Sequence, residues 1–143
     1  LDALPPISSD KINSYISNGQ TTSTVQAIVL LPRDIVIANK VNATLYLGTS
    51  QPVSKLTVDI GFYYQGTYYE IGKATINNIP KNIANKAYAA TITVNPENKI
   101  FVTGYPLLTI PKDSLISVTT TAPGYTGRIT LYYGPGQLSQ ISF

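Results

Sequence analysis

Apolar residues occupy every second position through most of this chain, the pattern of strands with one buried face. In residues 22–31, Val25, Ala27, Val29 and Leu31 share a face, and Pro32 with Arg33 ends the run. Val41, Ala43, Leu45 and Leu47 alternate with Asn42, Thr44 and Tyr46 up to Gly48. Tyr88, Ala90, Ile92 and Val94 repeat the pattern before Asn95-Pro96. So do Ile116, Val118 and Thr120 before Ala122-Pro123-Gly124, and Ile129, Leu131 and Tyr133 before Gly134-Pro135-Gly136. Shorter strands are expected near residues 100–103 and 107–110.

The sharpest local expectation is a hairpin. Leu56, Val58, Ile60 and Phe62 face one way, Lys55, Thr57 and Asp59 the other, and Gln65-Gly66 supplies a two-residue turn. That turn pairs Phe62 with Tyr69 and Ile60 with Ile71, but then sets Val58 against Lys73. One extra residue at Gly72 restores the core, pairing Val58 with Ala74 and Leu56 with Ile76. A mid-strand glycine is where a bulge is expected.

About 8–10 short strands with turns every 8–14 residues predict an all-β, antiparallel β-sandwich, with immunoglobulin-like topology first and a jelly roll second. The one helical candidate is residues 9–16, where Ser9 is placed to cap and Ile12, Tyr15 and Ile16 share a face. Residues 1–20 read as an extended N-terminal arm plus polar connector, and residues 21–143 as the sandwich domain. In the arm Leu1, Ala3, Leu4, Pro5, Pro6 and Ile7 form an apolar extended edge, which the two prolines keep out of any helix. At the other end a tail after Gly136 presents Ile141 and Phe143 on one face.

Composition narrows the chemistry. His, Cys, Met and Trp are all absent, and only seven carboxylates are present. Catalytic triads, thiol chemistry and imidazole metal sites are therefore excluded, and no cofactor is implied. Charged residues make up 12%, about half the usual share, replaced by Ser, Thr, Asn, Gln and eleven tyrosines. A polar but sparsely charged surface suits an acidic or glycan-rich exterior. Zero cysteine rules out disulfide staples, so stability must come from core size or from contacts between copies.

Net charge is +3, but the lysines are scattered singly and only two arginines occur, which argues against nucleic acid. The longest apolar stretch, Ala27-Ile28-Val29-Leu30-Leu31, is far short of the roughly 18 residues of a membrane span. The chain begins at Leu1 without methionine, so either a leader was removed or the chain was trimmed; the first implies export. Asn42-Ala43-Thr44 is a glycosylation sequon compatible with export.

The carboxylate pair that a hairpin brings together is Asp59 with Glu70. Both fall on the solvent face, without a pocket to raise either pKa, so they read as solvated strand residues rather than a glycosidase pair. The aspartates are too dispersed for a calcium loop, and the Gly134-Pro135-Gly136 turn lacks the lysine and helix of a phosphate cradle. Tyr63-Tyr64, Tyr68-Tyr69 and Tyr132-Tyr133 each send one ring inward and one outward. Tyr64 with Tyr68 around the hairpin tip is the expected exposed aromatic patch, a contact for protein before carbohydrate.

A cysteine-free, Thr/Asn/Tyr-rich sandwich with an apolar N-terminal arm resembles archaeal surface-filament subunits of the thread type and the related bundling-pilus proteins. The resemblance implies an extracellular, non-enzymatic, glycosylated immunoglobulin-like subunit that forms a head-to-tail homopolymer by inserting a terminal strand into its neighbour. It implies that the donor is the arm Leu1, Ala3, Leu4, Pro5, Pro6 and Ile7, extended toward Ser9, and that Asn42 is the glycan acceptor. No long apolar N-terminal helix occurs, which disfavours type IV pilins. Rival readings are a viral coat or spike sandwich, and a cell-surface ectodomain binding glycan or surface layer.

Overall fold

Gln65 and Gly66 both take positive φ, 50° and 81°, as a tight hairpin turn of the primed type requires. They join β5 (Val53–Tyr64) to β6 (Thr67–Ile79). Phe62 pairs with Tyr69, Val58 with Ala74 and Leu56 with Ile76, as the alternation demands. The register shifts between Ile60 and Gly61, and Ile60 faces Gly72 rather than Ile71. A bulge therefore forms one residue from the expected position, with Ile71 rather than Gly72 as the extra residue. It lets Ile71 and Ile76 both bury.

The computed structural model describes residues 11–15, 24–81, 87–125, 127–132 and 140–143. The arm residues Leu1, Ala3, Leu4, Pro5, Pro6 and Ile7 lie outside them.

The remaining strands nest around that hairpin. β4 (Val41–Thr49) pairs with β7 (Tyr88–Val94), and β3 (Ile35–Val36) with β8 (Thr109–Ile110). β2 (Thr24–Leu30) pairs with β9 (Leu115–Thr121), and β1 (Lys11–Tyr15) with β10 (Arg128–Tyr132). The chain is one long ribbon doubled back at Gln65-Gly66 and then rolled. Rolling adds the pairings β5 with β9 and β10 with β4. It yields one sheet of β1, β10, β4 and β7, joined by β11 (Gln140–Ser142), and a second of order β2-β9-β5-β6.

The antiparallel sandwich expected from the pattern is what forms. Its strand order is the jelly roll, the second of the two topologies considered: in an immunoglobulin-like sandwich the first two strands share a sheet, whereas β1 and β2 here lie in different sheets. The helix expected over residues 9–16 gives way to strand β1, with Ile12 opposite Leu131. A two-turn helix has little stability of its own, and ladder bonds to β10 outweigh it. The sandwich thus takes a strand from the segment read as connector. No strand forms at residues 100–103; Phe101 and Val102 are buried loop residues.

The core lies between the sheets. Leu45, Leu47, Ile129 and Leu131 of the first sheet are fully buried, as are Leu56, Ile60, Phe62 and Ile116 of the second. Phe62 stacks on Tyr69 at 5.1 Å and meets Phe101 edge-on at 5.7 Å. Truncating such a ring to alanine costs about 3–5 kcal/mol.

β10 and β11 are two halves of one strand, both on the same flank of β4. From Leu131 opposite Leu47 to Gln140 opposite Thr44, one side advances nine residues and the other three. Six residues are inserted between the halves. β1 covers β10 alone, and among the described residues the outer edge of β11 has no strand partner.

Candidate functional site

The two ends of the sandwich differ in chemistry. β4 connects to β5 through three residues, so the start of β4 lies at the hairpin end, together with the segments 31–40 and 95–114. Backbone bonds tie these segments to each other: Ile37 N–H donates to Leu108 O at 2.9 Å, and Leu108 N–H to Lys99 O at 2.9 Å. Among the described residues, Leu30, Val36, Tyr68, Ile100, Leu107 and Leu115 are the exposed large apolar side chains, and all belong to this end.

Four large side chains line up here because of strand register. Leu30 is opposite Leu115, Leu115 opposite Tyr63, and Tyr63 opposite Tyr68. They form one row across all four strands of the second sheet, on its outer face, since Phe62 and Ile116 point into the core. Leu30 is 58% exposed, Tyr68 38% and Leu115 37%.

In the adjoining row the two central residues, Ser117 and Gly61, are small, between Ile28 of β2 and Glu70 of β6. Gly61 sits opposite Ser117, and Ser117 is fully buried although it lies on the outer face. Tyr68 lies down along this trough: a Cβ on Gly61 would run into its Oη and Cζ. Its hydroxyl donates to Asp59 Oδ1 at 2.9 Å, and its ring meets Tyr63 at 5.0 Å with a 53° tilt. Partial burial, then the hydrogen bond to Asp59, hold the Tyr68 phenol above its ordinary range.

Tyr64 is not part of this surface. It follows Phe62 in parity, turns inward, and meets Tyr105 edge-on at 5.8 Å with hydroxyls 3.1 Å apart. That hydrogen bond first, and burial second, raise the Tyr105 phenol. The expected patch of Tyr64 with Tyr68 is therefore replaced by Tyr63 with Tyr68. The signal was in the sequence: a two-residue turn at positions 65 and 66 sets Tyr63 directly opposite Tyr68, on the face away from Tyr64.

Asp59 and Glu70 share the outer face but have separate partners. Asp59 accepts from Tyr68, and Glu70 lies 3.6 Å from Lys73. Asn42 is on the outer face of the first sheet, with its Oδ1 accepting from Thr93 Oγ1 at 2.8 Å. Thr44 of the same sequon shares that face.

At the far end, β9 stops at Thr121 and peels away from β5, opening a groove of about 470 Å³. Pro52, Pro80, Pro123 and Tyr125 help line it, and Lys55 is the only charged side chain among its lining residues. Gln51 N–H donates to Tyr125 Oη at 2.9 Å, and Tyr125 Oη donates to Gln51 O at 2.6 Å. Among the described residues no three His, Cys, Asp or Glu side chains gather as metal ligands, and no helix is long and apolar enough to cross a membrane.

No protein-family model and no curated protein sequence matches this chain. Among solved structures it is similar to part of a CocE/NonD family hydrolase from Staphylococcus aureus, with 9% identity, a TM-score of 0.63, and coverage of 96% of this chain and 33% of that one. It is also similar to part of an aminopeptidase from a marine sediment archaeon, Thaumarchaeota archaeon: 12% identity, TM-score 0.59, 82% of this chain and 25% of that one. A carbohydrate-binding module specific for non-crystalline cellulose, CBM28, follows at 13% identity and TM-score 0.46, over 86% of this chain and 72% of the module. The chain spans a quarter to a third of the two enzymes' length. At such identities the likeness is one of fold, and fold alone assigns no activity.

Proposed function

We propose that this chain is a non-enzymatic structural subunit of an extracellular filament, in which the apolar arm of one copy adds as a strand to the next. The observation that carries the reading is the interrupted strand. β1 covers β10 and stops, while the outer edge of β11, Gln140–Ser142, has no partner among the described residues. An unpaired edge is a template for another chain. An arm bearing Leu1, Ala3, Leu4 and Ile7 supplies apolar side chains for strand addition, and its two prolines suit an edge position better than a central one.

Asp59 and Glu70 are each engaged by a neighbouring side chain, which fits a role without catalysis. Export is supported by the absence of cysteine and by the sequon, whose Asn42 faces outward from the first sheet. Thr44→Ala should then remove any attached mass from material isolated from its source, with little change in thermal midpoint.

Deleting residues 1–8 is the decisive test. The truncated chain should remain a folded monomer by light scattering and form no filaments in electron micrographs, whereas full-length material polymerises. If the truncated chain still assembles, the donor assignment is wrong. The jelly-roll order favours one other reading, a coat protein; closed shells in place of linear fibres would identify it.

A further inference from the structure

Beyond assembly, we propose that the row Leu30, Leu115, Tyr63 and Tyr68 on the outer face of the second sheet is a binding strip for a neutral, extended polysaccharide.

Its dimensions argue for a sugar chain. Four strands at about 4.8 Å spacing make the row roughly 15 Å long, and at its aromatic end it is one side chain wide. A protein partner needs about 800 Å² on each side, spread over some 20–30 residues. Beside Tyr63 and Tyr68 the surface turns polar at once, through Asp59, Glu70, Lys73 and Thr119; the one apolar position in the adjoining row is Ile28, at its β2 end. A row of pyranose rings is long, narrow and amphiphilic: its C–H faces lie on aliphatic and aromatic side chains while its hydroxyls hang over the edge.

Acceptors stand where such an edge would fall. Asp59 uses Oδ1 for Tyr68, and an ionised carboxylate has further acceptor capacity on its second oxygen. Thr119 Oγ1 lies 3.3 Å from Ser117 Oγ on the same face. Near the strip, Asp59 and Glu70 outnumber Lys73, which disfavours acidic glycans.

The strip is also held in place before any ligand arrives. Tyr68 is fixed by Asp59, laid over Gly61 and braced against Tyr63. An aromatic ring ordered in advance loses little freedom on binding, so more of the contact energy appears as affinity.

Affinity electrophoresis of the full chain through gels containing a soluble β-1,4-glucan, a β-1,3-glucan, an α-mannan or a polyuronate tests this directly. At least one neutral polymer should retard the chain and the polyuronate should not. Tyr68→Ala, Tyr63→Ala and Leu115→Ser should each weaken the retardation at least tenfold while circular dichroism stays that of the sandwich. Thr91→Ala, on the opposite sheet, serves as the control and should bind unchanged. Three results overturn the proposal: no neutral polymer retards the chain, the strip variants bind as before, or they alter only self-association in the ultracentrifuge.

Discussion

Gly72 of β6 lies directly against Val94 of β7, so that a Cβ on the glycine would run into Val94 Cγ1. The contact joins the bulged strand to a strand of the other sheet, and the φ of Gly72 is not positive. The constraint is space rather than backbone conformation. Gly72→Ala should destabilise the chain by about 1–3 kcal/mol through overpacking, measured by urea unfolding. Adding Val94→Ala should recover part of the loss, because the removed methyls make room for the new one.

Tyr68→Phe should expose an alkaline dependence of stability. An unfolded tyrosine ionises near pH 10, while the folded Tyr68 phenol holds its proton to higher pH. Its stabilising contribution is complete below about pH 10 and drains away as pH rises toward the folded value, because only the unfolded chain releases the proton. At neutral pH the variant should be less stable by about 1 kcal/mol, one hydrogen bond. Above pH 10 the gap to the wild type should narrow in denaturant titrations.

Ser114 is fully buried and its Oγ has no hydrogen-bond partner. A buried hydroxyl left unpaired costs the desolvation of that group. Ser114→Ala should therefore be neutral or stabilising, by up to about 1 kcal/mol, seen as an unchanged or raised thermal midpoint.

Tyr125 closes the far end by bonding both the N–H and the carbonyl of Gln51, 74 residues away. Tyr125→Phe removes both bonds at once. The expected cost is about 1–2 kcal/mol, with faster amide exchange at Gln51 as the local readout.

Much of this was legible in the sequence, and the exceptions share a cause. Strict alternation located β2, β4, β5, β7, β9 and β10. The clash of Val58 with Lys73 exposed the bulge, because a shift of one residue turns every following side chain over. β1 was not legible: Lys11–Tyr15 has no alternation of its own and is a strand because β10 offers a ladder. Strand order was also hidden, since immunoglobulin and jelly-roll sandwiches spend the same pattern on different partners. The aromatic row needed two kinds of knowledge. Tyr63 opposite Tyr68 follows from the turn alone, but Leu30 and Leu115 join them only through pairings between strands far apart in the chain.

The doubled ribbon also sets a timetable. Tyr15 must wait for Arg128 before its strand has a place to go, and among the described residues the hairpin at Gln65 is the sole pairing that closes within a few residues. Maturation should therefore proceed outward from that tip, slowly, as in other topologies dominated by distant partners. Until the last strands leave the ribosome the earliest ones have no partner strand to pair with.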